Sequence, residues 1–384
     1  MRRWRANPAA QPYPRSIEQT IPAAGGNRQP VSCVEAEPAT GLERPGKASE
    51  GRWHDPPERR MTLTPSFSDG FRPQSDLAVI VACDGNYLPY AATPALAMAA
   101  RPRREYDVLI GGPEPVEIPT ALRQLGIAHV AARNEALLDA LPLDARRSLA
   151  TYMELFLGEA LRGIYRRILV IDADILYERG DPARLLRADM LDRAVAAVRD
   201  NRQWRTPGRK VREFRMLNEA AHPYFNAGVV MIDTERFAAQ DLPARAGDFA
   251  RNHLAGLGRD QALMNGMLKG DWAEISPLWN WQFTAASAHL TSMADPCLIH
   301  FIGTRKPWLA SSQGVVPMRM RRAFGTVLTQ YFPDTAPVPE ALRRQWPSAG
   351  SLRAALFRQW RAAGAMMRYL NRFPDTYTMV DPRA

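Results

Sequence analysis

The chain has 384 residues, a formal net charge of +10 at pH 7, 46% hydrophobic residues and 23% charged residues. These proportions are typical of a globular protein. No apolar run approaches the roughly 20 residues of a membrane-spanning helix, which excludes a membrane-spanning class. The basic charge favours an anionic partner such as a nucleotide, a nucleic acid or an acidic membrane surface. The 3 cysteines are widely spaced and form no CxxC pair, so we predict a reducing, cytoplasmic environment.

The predicted elements begin after a long amino-terminal segment. Residues 1–72 are rich in Pro, Gly, Arg and Glu and show no apolar period, so we expect a disordered or mis-annotated extension. The continuous apolar run at 76–83 is typical of a buried parallel strand. The strands and helices that follow alternate, as in βαβ folds. The predicted strands are 106–110, 127–130, 167–171, 194–198, 228–232 and 297–302, and the predicted helices are 93–100, 120–125, 145–161 and 260–268.

Two aspartates, Asp172 and Asp174, follow the predicted strand 167–171 directly. Side chains two residues apart at a strand end point to the same face, so this pair can converge on one cation. Two carboxylates suit a hard cation such as Mg²⁺ or Mn²⁺, with substrate phosphates completing its coordination. Two alternatives stay open. The pair either caps the strand and enters a turn, or provides the Asp172 nucleophile of a haloacid-dehalogenase phosphatase.

Several segments of the chain carry further motifs. They read VACDGNY at 81–87, IDAD at 171–174, YFNAGVVMI at 224–232, DQALMN at 260–265 and HFIGTRKPW at 300–308. Together they resemble glycosyltransferase family 8, which includes bacterial lipopolysaccharide galactosyl- and glucosyltransferases and glycogenin. The resemblance covers residues 77–308, and its most specific part is the His-x-x-Gly-x-x-Lys-Pro-Trp segment.

The resemblance implies a fold, a ligand set and site residues. The fold is GT-A (Rossmann-like), an α/β architecture with a mixed, mainly parallel sheet flanked by helices, spanning residues 73–315. Donor binding falls to Ala82, Asp84, Asn86, Tyr87, Asp172, Ala173, Asn226, Ala227, Gly303 and Lys306. The metal, Mn²⁺ (or Mg²⁺), is held by Asp172, Asp174 and His300. Catalytic roles fall to Asp260, Gln261 and Lys306, with Lys306 neutralising the β-phosphate of the leaving group.

The predicted function is therefore metal-dependent, retaining transfer of galactose or glucose from a UDP-sugar to a glycan or glycolipid acceptor, such as lipopolysaccharide core. Two positions depart from the family. Glu154 stands where the family usually has a donor-binding Arg, and is either a site residue that alters donor use or a solvated helix residue. Ala262 replaces a second Asp, so that position offers no covalent nucleophile. A catalytically inactive sugar-nucleotide-binding protein remains an alternative.

The carboxyl-terminal segment, residues 316–384, is predicted to be a basic helical extension. Between 351 and 371 one helical stripe is apolar, and Arg358, Arg361 and Arg368 lie across from it. The stripe comprises Leu352, Leu356, Trp360, Ala363, Met367 and Leu370. Such a helix either lies on an anionic membrane surface or packs its stripe on the main domain. We predict no nucleic-acid partner, because the basic residues do not interleave with aromatics as in known reader motifs.

Overall fold

The computed structural model describes residues 64–138, 140–141, 149–253, 257, 260–284, 288–339 and 348–384. Its strands are β1 (Ser66–Phe67), β2 (Leu77–Ala82), β3 (Asp107–Gly112), β4 (Ile127–Ala131), β5 (Arg167–Asp172), β6 (Ile175–Tyr177), β7 (Val195–Arg199), β8 (Phe225–Asp233), β9 (Ala273–Glu274), β10 (Trp281–Gln282) and β11 (Leu298–His300). Its first helices are α1 (Leu88–Ala99), α2 (Thr120–Arg123), α3 (Glu135–Leu138), α4 (Met153–Ala160), α5 (Pro182–Leu186), α6 (Asn201–Trp204) and α7 (Arg212–Met216). They are followed by α8 (Thr234–Ala239), α9 (Leu242–His253), α10 (Asp260–Leu268), α11 (Ala288–Ala294), α12 (Met318–Tyr331) and α13 (Ala349–Leu370).

Within the described residues, 8 strands form the main sheet in the order β1-β4-β3-β2-β5-β8-β7-β9. Strands β2, β3, β4 and β5 are parallel, whereas β8 lies antiparallel between β5 and β7. The carboxyl ends of the parallel strands therefore meet at one edge, and the antiparallel β8 begins at that same edge. The predicted α/β class with a mixed, mainly parallel sheet is confirmed.

Both faces of the main sheet are buried, which explains the continuous apolar runs of its strands. Along β2, Leu77, Val79 and Val81 belong to one hydrophobic cluster, and Ala78 and Ile80 belong to a second. Full burial of side chains as large as Leu, Val or Ile contributes roughly 1.5–3 kcal/mol each. The central strands are thus held rigidly, and so are the residues at their ends.

A second sheet, in the order β10-β11-β6, stands next to the carboxyl edge of the main sheet's β5. Strand β6 continues from β5 after the two-residue turn of Ala173 and Asp174. In the main sheet Ile171 pairs with Val229, and in the second sheet Ile175 pairs with His300. The turn between β5 and β6 is therefore flanked by β8 on one side and by β11 on the other.

Most predicted strands agree with the structure to within two residues, but several bounds differ. The strand predicted at 228–232 begins earlier, at Phe225, because the polar Asn226 also pairs with β7. Helix α1 begins before the predicted residue 93, with a proline in its first turn, where the missing N–H costs nothing. The strand predicted at 297–302 is shorter, Leu298–His300. Of the helix predicted at 145–161, residues 145–148 lie outside the described residues, and a 3-10 turn precedes α4.

The predicted extensions at both ends contribute to the fold. Residues 1–63 lie outside the described residues, and within 64–72 the strand Ser66–Phe67 pairs with β4. In the carboxyl-terminal segment, Met320 and Phe324 of α12 share a hydrophobic cluster with Trp308. Across the described ranges, no helix combines the length and apolarity needed to cross a membrane.

Candidate active site

The aspartate pair lies at the carboxyl edge of the main sheet. Asp172 is the last residue of β5, and its β2 neighbour is Ala82. Asp174 ends the turn into β6, and its side chain is 10% exposed, against 46% for Asp172. Desolvation, and after it the charge of Asp174, raise the pKa of Asp172. Two carboxylates are held close together here, and the charge of Asp174 opposes ionisation of Asp172.

His300 joins this pair from the second sheet. It ends β11 opposite Ile175, so its ring lies beside the turn that carries Asp174. Its Nε2 atom is 3.3 Å from Asp174 Oδ1 and 3.5 Å from Asp172 Oδ2. Burial alone would lower the pKa of His300, but the two carboxylates raise it above its ordinary value. Within the described residues, Asp172, Asp174 and His300 form a cluster whose ligand atoms lie within 4.8 Å of one another.

The cluster fits a divalent cation. Asp174 Oδ1 is buried and has no hydrogen-bond partner, although it faces His300 Nε2. Such a buried acceptor is costly unless something positive meets it. Two carboxylates and one imidazole are a donor set suited to Mn²⁺, and also to Mg²⁺ when substrate phosphates complete the shell.

Gly228 of β8 allows the cluster to close. A Cβ atom at this position would lie 2.9 Å from Asp172 Oδ2 and would collide with the ring of His300. A side chain there would push one of the two ligands out of the cluster. The glycine of the FNAG motif thus makes room for both ligands.

Lys306 lies in the loop after β11 and reaches back to the cluster. Its ammonium donates a hydrogen bond to Asp174 Oδ2 and another, of 2.8 Å, to the carbonyl of Phe301. Gly303 has φ +79°, which L side chains rarely adopt, and so turns the loop back toward β11. Burial opposes ionisation of Asp174, yet His300 and Lys306 hold its pKa below the ordinary value. The predicted metal ligands and the predicted phosphate-binding lysine are therefore together.

The loop after β2 carries the residues predicted to bind the nucleoside. Asp84 caps a 3-10 turn, accepting a 3.1 Å hydrogen bond at Oδ1 from the backbone N–H of Tyr87. Asn86 is exposed, and Tyr87 is 43% exposed. The Tyr87 ring meets Trp308 edge-on, with 6.3 Å between centroids. The loop after β2 therefore contacts the loop that carries Lys306.

The predicted sugar-binding residues converge at the start of β8 and α10. Gln261 Oε1 accepts hydrogen bonds from Asn226 Nδ2 at 3.1 Å and from the backbone N–H of Ala227 at 3.4 Å. Asp260, at the start of α10, is partly exposed. The side chain of Ala262 is buried in a hydrophobic cluster, as expected of a position without a nucleophile.

Glu154 is a buried residue rather than a solvated one. Its side chain is buried in α4, which excludes the interpretation as a solvated helix residue. Burial raises the pKa of Glu154 well above its ordinary value, and the charges of Asp260 and Asp172 raise it further. A buried acid therefore stands at the position where the family resemblance implies a cation.

Two functional candidates were missed by sequence reasoning. Asp200 follows the end of β7 at the same sheet edge and accepts a 2.9 Å hydrogen bond from Gln261 Nε2. Its position after a predicted strand was an available signal. Asn280 precedes the two-residue β10, and its Oδ1 is 3.0 Å from His300 Nδ1. No pattern in the sequence marks that residue.

The sequence of this chain is similar to those of known proteins. A family model described as "Glycosyl transferase family 8" matches residues 78–312. General stress protein A of Bacillus subtilis (strain 168) is 26% identical over 163 residues, 38% of this chain and 54% of that protein. Lipopolysaccharide 1,2-glucosyltransferase of Escherichia coli (strain K12) is 28% identical over 183 residues, 44% of this chain and 52% of that protein. The chain spans about half the length of these curated relatives.

A solved structure shares the fold. The galactosyltransferase LgtC, in complex with donor and acceptor sugar analogs, superimposes with a TM-score of 0.52 and 23% identity. The match covers 65% of this chain and 95% of that one. The chain therefore has the fold of a known glycosyltransferase.

Proposed function

The chain belongs to glycosyltransferase family 8, and on that premise we propose that it transfers galactose or glucose from a UDP-sugar to a cell-envelope glycan, such as lipopolysaccharide core, with retention of anomeric configuration. The observation that carries this proposal is the cluster of Asp172, Asp174 and His300 at the carboxyl edge of the sheet, with Lys306 bonded to Asp174. The relatives named for transfer of glucose and galactose supply the hexose class.

A divalent cation, Mn²⁺ or Mg²⁺, is the implied cofactor. Held by Asp172, Asp174 and His300, it would stabilise the negative charge that develops on the diphosphate leaving group. Lys306 supports the same charge from the loop after β11, once its ammonium is shared between Asp174 and the phosphate. Tyr87, exposed at the neighbouring loop, offers a ring on which the uracil stacks.

The sugar lies between the metal cluster and the start of α10. Asn226 donates a 3.1 Å hydrogen bond to Gln261. The polar side chains of both residues line the space for the sugar. Asp260 binds sugar hydroxyls. Glu154 supplies no positive charge to the donor, and burial raises the pKa of its carboxyl group.

Retention proceeds without a carboxylate nucleophile at Ala262. The bond from the anomeric carbon to the diphosphate oxygen breaks first, and the acceptor hydroxyl then forms its bond to the anomeric carbon on the same face. The leaving phosphate oxygen takes the hydroxyl proton. Because charge development is the difficult part of this reaction, charge stabilisation by Lys306 and the metal ligands matters most.

A catalytically inactive sugar-nucleotide binder is the second candidate. The observation that favours it is Glu154, an acid where the family resemblance implies a cation that holds the donor. Intact Asp174, His300 and Lys306, brought into contact with one another, favour activity instead. Family membership disfavours the haloacid-dehalogenase phosphatase.

Release of UDP from a donor panel tests the function. We expect the purified chain to release UDP from UDP-galactose or UDP-glucose when Mn²⁺ is present, and to lose this activity with a chelator. GDP-mannose is the matched donor control, and mass spectrometry of an added lipopolysaccharide core acceptor identifies the transferred hexose. Binding of a UDP-sugar with neither UDP release nor transfer would instead support the inactive binder.

We further propose that the protein works at the cytoplasmic face of the cell membrane through α13. Leu356, Phe357, Trp360 and Met367 of this helix have exposed fractions of 52%, 56%, 73% and 54%. The opposite face, with Ala362, Met366 and Tyr369, is buried in the main hydrophobic cluster. Of the predicted apolar stripe, Leu352, Leu356, Trp360 and Met367 are exposed and Leu370 packs against the main cluster, which favours the membrane alternative over packing of the stripe.

Charge favours an anionic lipid surface as the partner of this face. Arg353, Arg358, Arg361 and Arg368 are exposed along α13, and the helix contains neither Asp nor Glu. Each basic residue near an anionic leaflet contributes about 1 kcal/mol, and the cytoplasmic leaflet is the negatively charged one. An exposed tryptophan beside arginines is typical of helices that lie in the membrane interface.

Vesicle co-sedimentation tests the membrane proposal. We expect the chain to co-sediment with vesicles that contain phosphatidylglycerol and not with vesicles of pure phosphatidylcholine. The double variant Phe357→Ser/Trp360→Ser should bind at least about tenfold more weakly, since it removes two large apolar side chains from the interface. The matched control is Met293→Ser, which changes an 82% exposed apolar side chain on α11. Equal binding by the double variant and the wild type would remove α13 from consideration.

A further inference from the structure

A line of hydrogen-bonded side chains joins the metal cluster to the sugar side of the site. His300 Nδ1 lies 3.0 Å from Asn280 Oδ1, and Asn280 Nδ2 donates to Asn226 Oδ1 at 2.8 Å. Asn226 Nδ2 donates to Gln261 Oε1 at 3.1 Å, and Gln261 Nε2 donates to Asp200 Oδ2 at 2.9 Å. Asn280 lies in the middle of this line and is completely buried, with 0% exposure.

On the side of the metal ligands, a backbone N–H shows which amide atoms in this line donate and which accept. The N–H of Gly228 donates to Asn226 Oδ1 at 3.1 Å, and a backbone N–H can only donate. The atom of Asn226 that faces Gly228 and Asn280 is therefore its oxygen. Asn280 must turn its NH₂ group toward that oxygen, which leaves its own oxygen facing His300. The hydrogen between Asn280 and His300 thus belongs to Nδ1.

At the other end of the line, a second backbone N–H fixes the orientation of the Gln261 amide. The backbone N–H of Ala227 donates to Gln261 Oε1, which identifies that atom as the oxygen and turns Nε2 toward Asp200. Asp200 Oδ1 accepts hydrogen bonds from the backbone N–H and Nε of Arg202, at 2.9 and 2.8 Å. The line therefore ends on the Asp200 carboxylate, both of whose oxygens accept hydrogen bonds. Reversing any one amide would set donor against donor or acceptor against acceptor.

A hydrogen held on Nδ1 leaves Nε2 of His300 as the atom that faces Asp172 and Asp174. A proton or a divalent cation can occupy Nε2, and the Nδ1–H bond to Asn280 is the same in both states. Metal-binding histidines generally donate their second ring N–H to a fixed acceptor, which sets the tautomer and the ring orientation. Asn280 Oδ1 is that acceptor here, because no other partner is recorded for Nδ1 within the described residues.

We propose that Asn280 is a positioning residue that holds His300 in the metal-binding tautomer and, with its NH₂ group, holds Asn226 and Gln261 against the sugar. This inference rests on the proposed function, since it assigns His300 to the metal and Gln261 to the donor. One side chain thereby orients both the metal side and the sugar side of the site. Its two polar atoms divide the roles, the oxygen serving His300 and the nitrogen serving Asn226.

Two substitutions separate these roles. Asn280→Leu keeps the approximate volume but removes both polar atoms, so Mn²⁺ binding should weaken about 10- to 100-fold, as for other partners of metal ligands. Asn280→Asp keeps an oxygen for the Nδ1–H of His300 but loses the donor to Asn226. We expect it to bind Mn²⁺ within about threefold of the wild type, yet to lower kcat/KM for the UDP-sugar at least about tenfold.

The measurement is isothermal titration of the metal-free, full-length chain with MnCl₂, followed by steady-state kinetics. Asn252→Leu is the matched control, because Asn252 is exposed and its Nδ2 bonds only the carbonyl of Asp248 in the described chain. Wild-type affinity for Mn²⁺ in Asn280→Leu would overturn the role of Asn280 alone. Equal loss of Mn²⁺ affinity in Asn280→Leu and Asn280→Asp would also overturn it, by indicating a packing role. No Mn²⁺ binding by the wild type would overturn this inference together with the proposed metal dependence.

Discussion

Changing Asp174 to Asn should lower hexose transfer by about 10³-fold, corresponding to roughly 4 kcal/mol of lost transition-state stabilisation. The side chain is 10% exposed and bonds Lys306 through Oδ2, while Oδ1 faces His300 without a hydrogen-bond partner. An amide keeps the shape but loses the charge that both a divalent cation and Lys306 require. Asp172→Asn and His300→Ala should cause losses of similar size, because each removes one ligand of the same cluster.

Three variants, measured for Mn²⁺ affinity and for kcat, separate the causes of this loss. Isothermal titration with MnCl₂ should show weakened binding for Asp174→Asn. Lys306→Met should instead keep Mn²⁺ binding while lowering kcat, because an ammonium group has no lone pair with which to bind a cation. The matched control is Asp192→Asn, whose side chain is 94% exposed and pairs only with Arg236 in the described residues. Full turnover by Asp174→Asn in Mn²⁺ would show that the metal assignment is wrong.

The local pattern predicts Asp172 and Asp174 as cation ligands, whereas His300 and Lys306 are assigned by the resemblance of their motif to the family. Asp172 and Asp174 follow an apolar run, and His300 and Lys306 share one short motif. The run predicts a buried strand, and the end of a parallel strand predicts the sheet edge. What joins the two motifs is the antiparallel pairing of β11 with β6, which no local pattern encodes.

The line of hydrogen-bonded side chains from His300 to Asp200 could not be predicted from the sequence, and the reason is physical. Asn280 contacts Asn226 across 54 positions and His300 across 20 positions, so only the tertiary fold brings them together. The two-residue strand β10 that follows Asn280 is too short to show an alternating apolar period. Glu154 was similarly ambiguous, because a helical acid is usually solvated, and only the packing of α4 shows that this one is buried.

The face of α13 that packs was also beyond the sequence. The helix carries two apolar surfaces, one with Leu356 and Trp360 and the other with Ala362, Met366 and Tyr369. A helical period identifies a stripe but does not identify which of two stripes meets the core. The second surface packs here, where Tyr369 stacks on Trp204 and donates a hydrogen bond to the buried carboxylate of Glu274.

Changing Glu274 to Gln should lower the free energy of unfolding by about 3–5 kcal/mol, the usual cost of removing one partner of a buried ion pair. Glu274 is completely buried and bonds Arg199 through two hydrogen bonds of 2.7 Å. It also accepts hydrogen bonds from Tyr369 at 2.8 Å and from Arg372 at 2.9 Å. A neutral amide would leave two buried or half-buried guanidinium groups without their counter-charge.

The same carboxylate holds the carboxyl-terminal segment on the sheet. Strand β9 exchanges backbone hydrogen bonds between Glu274 and Val380 in both directions, at 2.9 and 3.0 Å. We therefore expect Glu274→Gln to lower the melting temperature by on the order of 10 °C and to expose α13 to proteases before the rest of the fold. Glu235→Gln is the matched control, since Glu235 pairs with Arg162 at the surface and contributes at most about 1 kcal/mol. Glu274→Gln could instead match this control in both melting temperature and resistance to proteolysis. The buried ion pair would then not hold α13 in place, and the apolar contacts of its packed face alone would do so.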